Sequence, residues 1–111
     1  MKILFASSQN LDKRALYIHT RGRSESVKNL EDGTVIEPAE IVIYEDENAN
    51  GETNTITSIV DTAGKHYTTN SRIFREELGV IWKLMEGEAF SLVVRKNLSK
   101  AGRTFVTCEL A

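Results

Sequence analysis

The spacing of apolar residues changes period twice along this chain, and the folds open to it are limited by that change. Residues 34–45 are rich in β-branched side chains and alternate every second residue, the mark of a strand. Within them Ala39, Ile41 and Ile43 share one face, and Glu40, Val42 and Tyr44 share the other. Residues 53–61 and 66–69 read as two further strands. Then the period lengthens. Phe74, Leu78, Ile81 or Trp82, and Met85 recur at helical spacing, with Ile73 and Leu84 beside them. From Phe90 the period returns to two. Phe90, Leu92 and Val94 share a face in one strand, and Val106, Cys108 and Leu110 do so in the next. Phe105, Thr107 and Glu109 fall on the opposite face of that last strand.

Turn chemistry separates these runs. Asp32-Gly33 precedes the first strand, Asn50-Gly51 joins the first to the second, and Ala63-Gly64 precedes the third. Pro38 implies a bulge or an edge, because proline cannot donate to a ladder. Asn70 or Ser71 suits the helix N-cap, where a side-chain oxygen accepts a free backbone N–H. Glu76 and Glu77 suit the positive end of the helix dipole. Gly79 costs the helix about 1 kcal/mol relative to alanine. Gly87 is expected just past the helix end. Residues 96–102 read as a polar, basic linker.

The order is three strands, one helix, two strands. It is the order of the OB-fold, a five-stranded, partly open Greek-key barrel. The expected class is mainly β, with the single helix between strands three and four. Phe74, Leu78, Trp82 and Met85 would plug one barrel end. A plain α+β sandwich is the competing architecture. Residues 1–14 lack periodicity and read as a flexible arm, and residues 15–20 as a short strand before Arg21-Gly22-Arg23. The expected division is an N-terminal basic arm or extra strand over 1–29 and a barrel over 30–111.

At 111 residues the chain has room for one domain and for a core that needs no disulfide or metal. Cys108 is its only cysteine, which excludes an intrachain disulfide and a cysteine zinc cluster. The apolar runs are far short of the roughly 20 residues a membrane span needs. The N-terminus is not a convincing signal peptide. A cytoplasmic location is expected.

The net charge of −2 hides a segregation. Residues 1–30 carry six basic and two acidic groups, residues 31–54 carry eight acidic groups and no basic ones, and residues 55–111 carry eight basic and six acidic groups. The total argues against indiscriminate polyanion binding, and the segregation leaves room for a local basic face.

Arg95, Lys96, Lys100 and Arg103, followed by Phe105, form the densest such cluster. In an OB-fold they lie in the loop between strands four and five, which grips oligonucleotides. Lysine and arginine displace counterions from phosphates, and a base stacks on an exposed ring for about 1–3 kcal/mol. The bland alternative is a solvated hairpin tip whose lysines protect an edge. A second cluster, His19 to Arg23 with Lys13, Arg14, Tyr17 and Lys28, reads equally as an arm that wraps a strand or as a solubilising terminus. A third runs from Lys65 to Arg72. There Tyr67 and Arg72 line a groove or, for the tyrosine, simply half-bury in the sheet.

The residues from Asp46 to Glu52 offer oxygen ligands without EF-hand spacing, so a solvated loop is preferred to a metal site. Catalysis has little to stand on. His19 and His66 lie in different segments without metal-ligand partners nearby. There is no phosphate loop and no nucleophile elbow. Cys108 falls on an aliphatic face and reads as core. No cofactor is implied.

The run Tyr44-Glu45-Asp46-Glu47-Asn48, Asn50-Gly51-Glu52, Ile59-Val60-Asp61, Gly64, Tyr67-Thr68-Thr69-Asn70-Ser71, Phe74 and Ser99-Lys100-Ala101-Gly102-Arg103-Thr104-Phe105 resembles small OB-fold single-stranded-DNA-binding proteins. These come from phages and conjugative elements of Gram-positive bacteria. The resemblance covers about residues 30–110 and leaves the basic arm outside. It implies sequence-nonspecific binding of single strands in replication, without catalysis. It places Lys100, Arg103 and Phe105 near the strand. Larger proteins of this kind carry a long acidic tail that recruits partners, whereas this sequence stops at Ala111, just after its last expected strand.

The expected interface therefore uses Tyr44, Tyr67 and Phe105 for stacking, and Lys65, Arg72, Arg95, Lys96, Lys100 and Arg103 for phosphates. The expected partners are single-stranded DNA, replication proteins and further copies of the chain, the last through an edge such as residues 103–110. The alternative is a protein-interaction barrel that uses its acidic face, residues 37–52, and binds no nucleic acid.

Overall fold

The computed structural model describes all residues, 1–111. In chain order the elements are β1 (Lys2–Ala6), α1 (Lys13–Arg21), β2 (Glu25–Ser26), a 3-10 turn (Val27–Asn29), β3 (Val35–Ile36), β4 (Pro38–Glu47), β5 (Thr53–Asp61), β6 (His66–Thr69), α2 (Arg72–Met85), β7 (Leu92–Leu98) and β8 (Thr104–Leu110). The strands form a five-stranded sheet, β1-β4-β5-β6-β2, and a three-stranded sheet, β3-β7-β8.

The expected meander is present as β4, β5 and β6. Antiparallel pairing sets Ile41 opposite Ile59, and Ile59 opposite Tyr67. One sheet face is therefore apolar. It joins Phe74, Leu78 and Ile81 of α2 and Leu92, Val94, Val106 and Cys108 of the second sheet in one core. Trp82 and Met85 pack at its margin, half-buried. The Asn50-Gly51 turn places Gly51 at φ +78°, which a side-chain-free residue adopts at little cost.

β3 and β4 are one run of chain that turns a corner at Glu37. β3 pairs with β7, whereas β4 pairs with β5. Pro38 sits at that corner, and the β4–β5 register shifts between Pro38 and Glu40, as a bulge there requires. The result is a mainly β, OB-like fold whose sheets do not close into one barrel. Beyond β6 the next strand is β2, paired in parallel, and not β8. Ser71 spans the gap to β8. Its Oγ donates to the Val106 carbonyl at 3.0 Å and accepts from the Phe74 N–H at 3.2 Å, so one side chain caps α2 and ties it to β8. Ser71, not Asn70, is the cap.

Two expectations for the N-terminus are corrected. Residues 1–14 are not a free arm. β1 pairs antiparallel with β4, and Ser7 extends the contact by accepting the Ile41 N–H at 2.8 Å. Residues 15–20 are not a strand but lie inside α1. Asp12 caps that helix by accepting from the Ala15 N–H at 2.8 Å. Tertiary burial overrides the β-prone composition, because α1 lays its His19 face on the outer side of the five-stranded sheet. Residues 1–29 thereby supply both outer strands of that sheet.

The seam between α1 and the sheet is polar and ordered. His19 Nδ1 lies 2.7 Å from Ser58 Oγ, which lies 2.6 Å from His66 Nε2. His66 Nδ1 lies 3.0 Å from the Arg23 carbonyl, which can only accept. Nδ1 of His66 therefore carries a proton. Neutral His66 accepts at Nε2 from the Ser58 hydroxyl, and Ser58 Oγ accepts from Nδ1–H of His19. Nε2 of His19 is left bare and without a hydrogen-bond partner, 3.5 Å from Glu40 Oε1. The two histidines, which the sequence leaves far apart, are joined through one hydroxyl. No group of three or more metal-binding side chains forms around them or elsewhere.

Burial pushes both imidazoles below their ordinary titration range. For His19 it outweighs the nearby Glu40 carboxylate, and His66 pushes the same way as burial. The unfolded chain takes up these protons near pH 6.5, and the folded chain resists them. Stability is therefore full above about pH 6.5 and drains as the pH falls below it, by up to about 1.4 kcal/mol per pH unit for each histidine. The melting temperature should fall between pH 7.5 and 5.5, and less steeply in the His19→Gln/His66→Gln variant. Equal slopes for the two proteins would contradict this assignment.

Candidate nucleic-acid interface

β7 and β8 form a hairpin with Leu98 opposite Thr104 and Asn97 opposite Phe105. Of the expected linker over residues 96–102, the first three residues are strand, because β7 runs on to Leu98. Inward Leu92 and Val94 anchor the hairpin in the core. Its tip is held locally: the Ser99 N–H donates to the Arg103 carbonyl at 2.8 Å, and the Arg103 N–H donates to Ser99 Oγ at 3.1 Å. Gly102 takes φ +79° there. Lys100 and Arg103 are exposed at the tip, and Phe105 is half-exposed at its base.

The six expected cations separate into two kinds. Lys65 pairs with Glu25 at 3.0 Å, Arg72 with Glu76 at 3.3 Å, and Arg95 with both Asp32 at 3.7 Å and Glu109 at 3.2 Å. The side chains of Lys96, Lys100 and Arg103 have no carboxylate partner, so their charge is free for another anion. Lys65 also lies over the Tyr67 ring, 5.4 Å from its centre, and Glu25 raises its titration above the ordinary lysine range.

Tyr44 and Tyr67 are each only 5% exposed. Tyr67 faces the core, and Tyr44 lies on the other sheet face. In this structure neither offers a ring face to a base, and among the three expected aromatics only Phe105 does. Burial pushes the Tyr44 hydroxyl above its usual range, Asp46 adds to this, and the charge of Arg21 opposes it.

Two adjoining depressions lie beside the hairpin. One, of about 160 Å³, is lined by Lys28, Lys96, Thr104, Phe105 and Val106. The other, of about 270 Å³, is lined by Ser26, Lys28, Ile56, Thr68, Thr69 and Asn70. Lys28 belongs to both and donates to Asn70 Oδ1 at 2.8 Å. Together they make a track from the hairpin onto the outer face of β5 and β6, and no carboxylate lines it. A third depression, at the β4–β5 hairpin end, is lined by Glu45, Asp46 and Glu47 together with Met1 and Lys2, so it is a mixed-charge surface with an acidic majority. The track brings together Lys96 and Phe105 from the expected set. It adds Lys28 from the N-terminal basic cluster, Thr68 and Asn70 from the stretch between Lys65 and Arg72, and Ser26, which the sequence did not single out. The parallel pairing of β2 with β6, with Ser24 and Lys28 bonded to Thr68 and Asn70, carries residues 26–28 to this place.

Cys108 is buried, and its thiol is pushed up to about 12 by that burial, with Glu77 and Glu109 adding to it. It contacts the Phe74 carbonyl at 3.8 Å and stays a core residue.

The sequence model of the family described as phage single-stranded DNA-binding protein matches residues 1–111. The match includes the N-terminal 29 residues. No curated protein and no solved structure matches the chain.

The paired and unpaired cations should separate in a denaturation experiment. Arg95→Ala removes a guanidinium that joins two carboxylates and should cost about 0.5–1 kcal/mol in urea unfolding. Lys100→Ala/Arg103→Ala should leave the unfolding midpoint unchanged.

Proposed function

The chain belongs to the phage single-stranded DNA-binding protein family, and from that premise we propose that the strand lies in the Lys28 track, gripped at one end by the β7–β8 hairpin. The protein binds single-stranded DNA in phage DNA replication and does so without catalysis. Membership in the family removes the alternative of a barrel that binds no nucleic acid.

One observation carries the placement. Free cations, a half-exposed ring and a carboxylate-free floor coincide at this track. Lys96, Lys100, Arg103 and Lys28 neutralise phosphates. Phe105 stacks a base, and Ser26, Thr68 and Asn70 offer hydroxyl and amide groups to the backbone. Charge and stacking discriminate little among bases, which fits binding without sequence preference. Lys65, Arg72 and Arg95 contribute only where a phosphate displaces their own carboxylates. Tyr44 and Tyr67 take part only if their surroundings open.

The finer parts of the reading are further proposals. The protein acts in the host cytoplasm, where the replicating DNA is. One such fold covers about 4–16 nucleotides, so copies coat a longer strand side by side. The outer edge of β8 is the candidate contact between copies. The carboxylates around Glu45 to Glu47 stand clear of the track and are open to basic replication proteins. No helix is long and apolar enough to cross a membrane.

Fluorescence anisotropy with labelled oligo-dT and a matching duplex tests the placement. Single-strand affinity should fall with salt at a slope of about −0.7 per phosphate contacted, with little duplex binding. Lys100→Ala/Arg103→Ala should weaken binding and flatten the slope by about 1.4. Phe105→Ala should cost about 1–3 kcal/mol. Wild-type affinity and slope in both variants would move the strand elsewhere on the protein.

A further inference from the structure

Helix α1 does not line the track, yet it carries three cations with no carboxylate partner, Lys13, Arg14 and Arg21. Lys13, Tyr17 and Arg21 follow one another at i, i+4 and i+8, and Arg14 lies beside them on the same solvent face. All four are exposed, and Tyr17 is 66% exposed. Arg23 and Lys28 continue the series after the helix. No carboxylate pairs with any of these six residues, in a chain with 16 acidic side chains.

Folding does not account for this face. The helix is pinned through its other side, where His19 is 1% exposed and bonds Ser58. The helix end is also fixed. The Gly22 N–H reaches the Tyr17 and Ile18 carbonyls at 3.2 and 2.9 Å, and a Cβ at Gly22 would meet the Ile18 oxygen at 2.5 Å. An exposed ring flanked by cations on a rigid helix is what a base and its neighbouring phosphates require.

The face also continues the track. Arg21 lies close enough to Tyr44 for its charge to oppose the rise in that hydroxyl's titration. Tyr44 stands opposite Ile56, which lines the track. From the helix end, Ser24 Oγ bonds Thr68 Oγ1 at 2.9 Å and Ser26 pairs with Thr68, both along the track's edge.

We propose that α1 is a second contact surface for the same DNA strand, with Tyr17 stacking a base and Lys13, Arg14 and Arg21 holding phosphates beyond the track. This rests on the reading that the strand occupies the track, and it makes binding depend on strand length. Short strands fill the track alone. Longer strands reach α1 and gain affinity there.

The test is an oligo-dT series of about 4 to 30 nucleotides against the full chain, Tyr17→Ala, Arg14→Ala/Arg21→Ala and Lys100→Ala/Arg103→Ala. The α1 variants should bind the shortest strands as the wild type does. On the longest strands, Tyr17→Ala should lose about 5- to 150-fold in affinity. Arg14→Ala/Arg21→Ala should flatten the salt slope by about 1.4 on those strands. Equal melting temperatures confirm folding, which the exposure of these side chains favours. A bromodeoxyuridine strand should also photocrosslink to Tyr17 of the wild type. Wild-type affinity of both α1 variants at every length, with no crosslink at Tyr17, would overturn the proposal. If Lys100→Ala/Arg103→Ala is still weakened in that case, the track stands and only α1 fails. Wild-type binding in Lys100→Ala/Arg103→Ala, with losses in the α1 variants even on the shortest strands, would overturn the two-part path and place the strand on α1 first.

Discussion

The hydroxyl of Ser58 decides where the N-terminal quarter of the chain goes. It sits fully buried on the outer sheet face and bonds an imidazole from α1 and another from β6. A buried hydroxyl with no partner is costly, and so is a buried imidazole. Each of the three groups is tolerable there because the other two are present. His66 also takes the Arg23 carbonyl, which sets the chain at the end of α1 against β6. From there β2 pairs with β6, and the 3-10 turn delivers Lys28 to its place between the two depressions. A polar seam under one helix thus positions a cation between the two depressions.

Electrostatics then divides the surface. The chain is acidic overall, and its carboxylates occupy particular cations while leaving others free. Arg95 braces Asp32 and Glu109, and Lys65 holds Glu25, so these charges are largely neutralised within the protein. Lys96, Lys100 and Arg103 stay unpaired on a hairpin whose inner residues lock it to the core. The same hairpin keeps Phe105 half-exposed at its base. Glu45 to Glu47 gather at the far end of β4, beside Lys2, so unpaired positive charge and the densest carboxylates lie on different parts of the molecule.

Much of the fold was legible because residues 34–110 obey local rules. Alternation placed Ile41, Ile43, Leu92, Val94, Val106 and Cys108 on inward faces, and the helical stretch of Phe74, Leu78 and Ile81 was equally plain. Residues 15–20 read as a strand from their β-prone composition because the sheet that receives His19 is not visible in local sequence. The burial of Tyr44 was not legible for a related reason. Alternation put Tyr44 on the face away from the core, but burial of that face depends on residues outside the strand. Of the site, the hairpin cluster was legible as composition. Which of its cations are free was not, because Asp32 and Glu109 reach Arg95 only in three dimensions.

The sequence by itself determined the order of the main elements from residue 34 onward, the core faces, the glycine-bearing turns and the basic character of the hairpin, since periodicity, φ preference and charge are properties of neighbours along the chain. Tertiary structure alone decided that two distant histidines share one serine, that Lys28 stands beside Phe105, and that the N-terminus flanks the sheet on both edges. These are long-range pairings. They are chosen by which buried polar groups satisfy one another and by which edges remain open, and neither is written in local spacing.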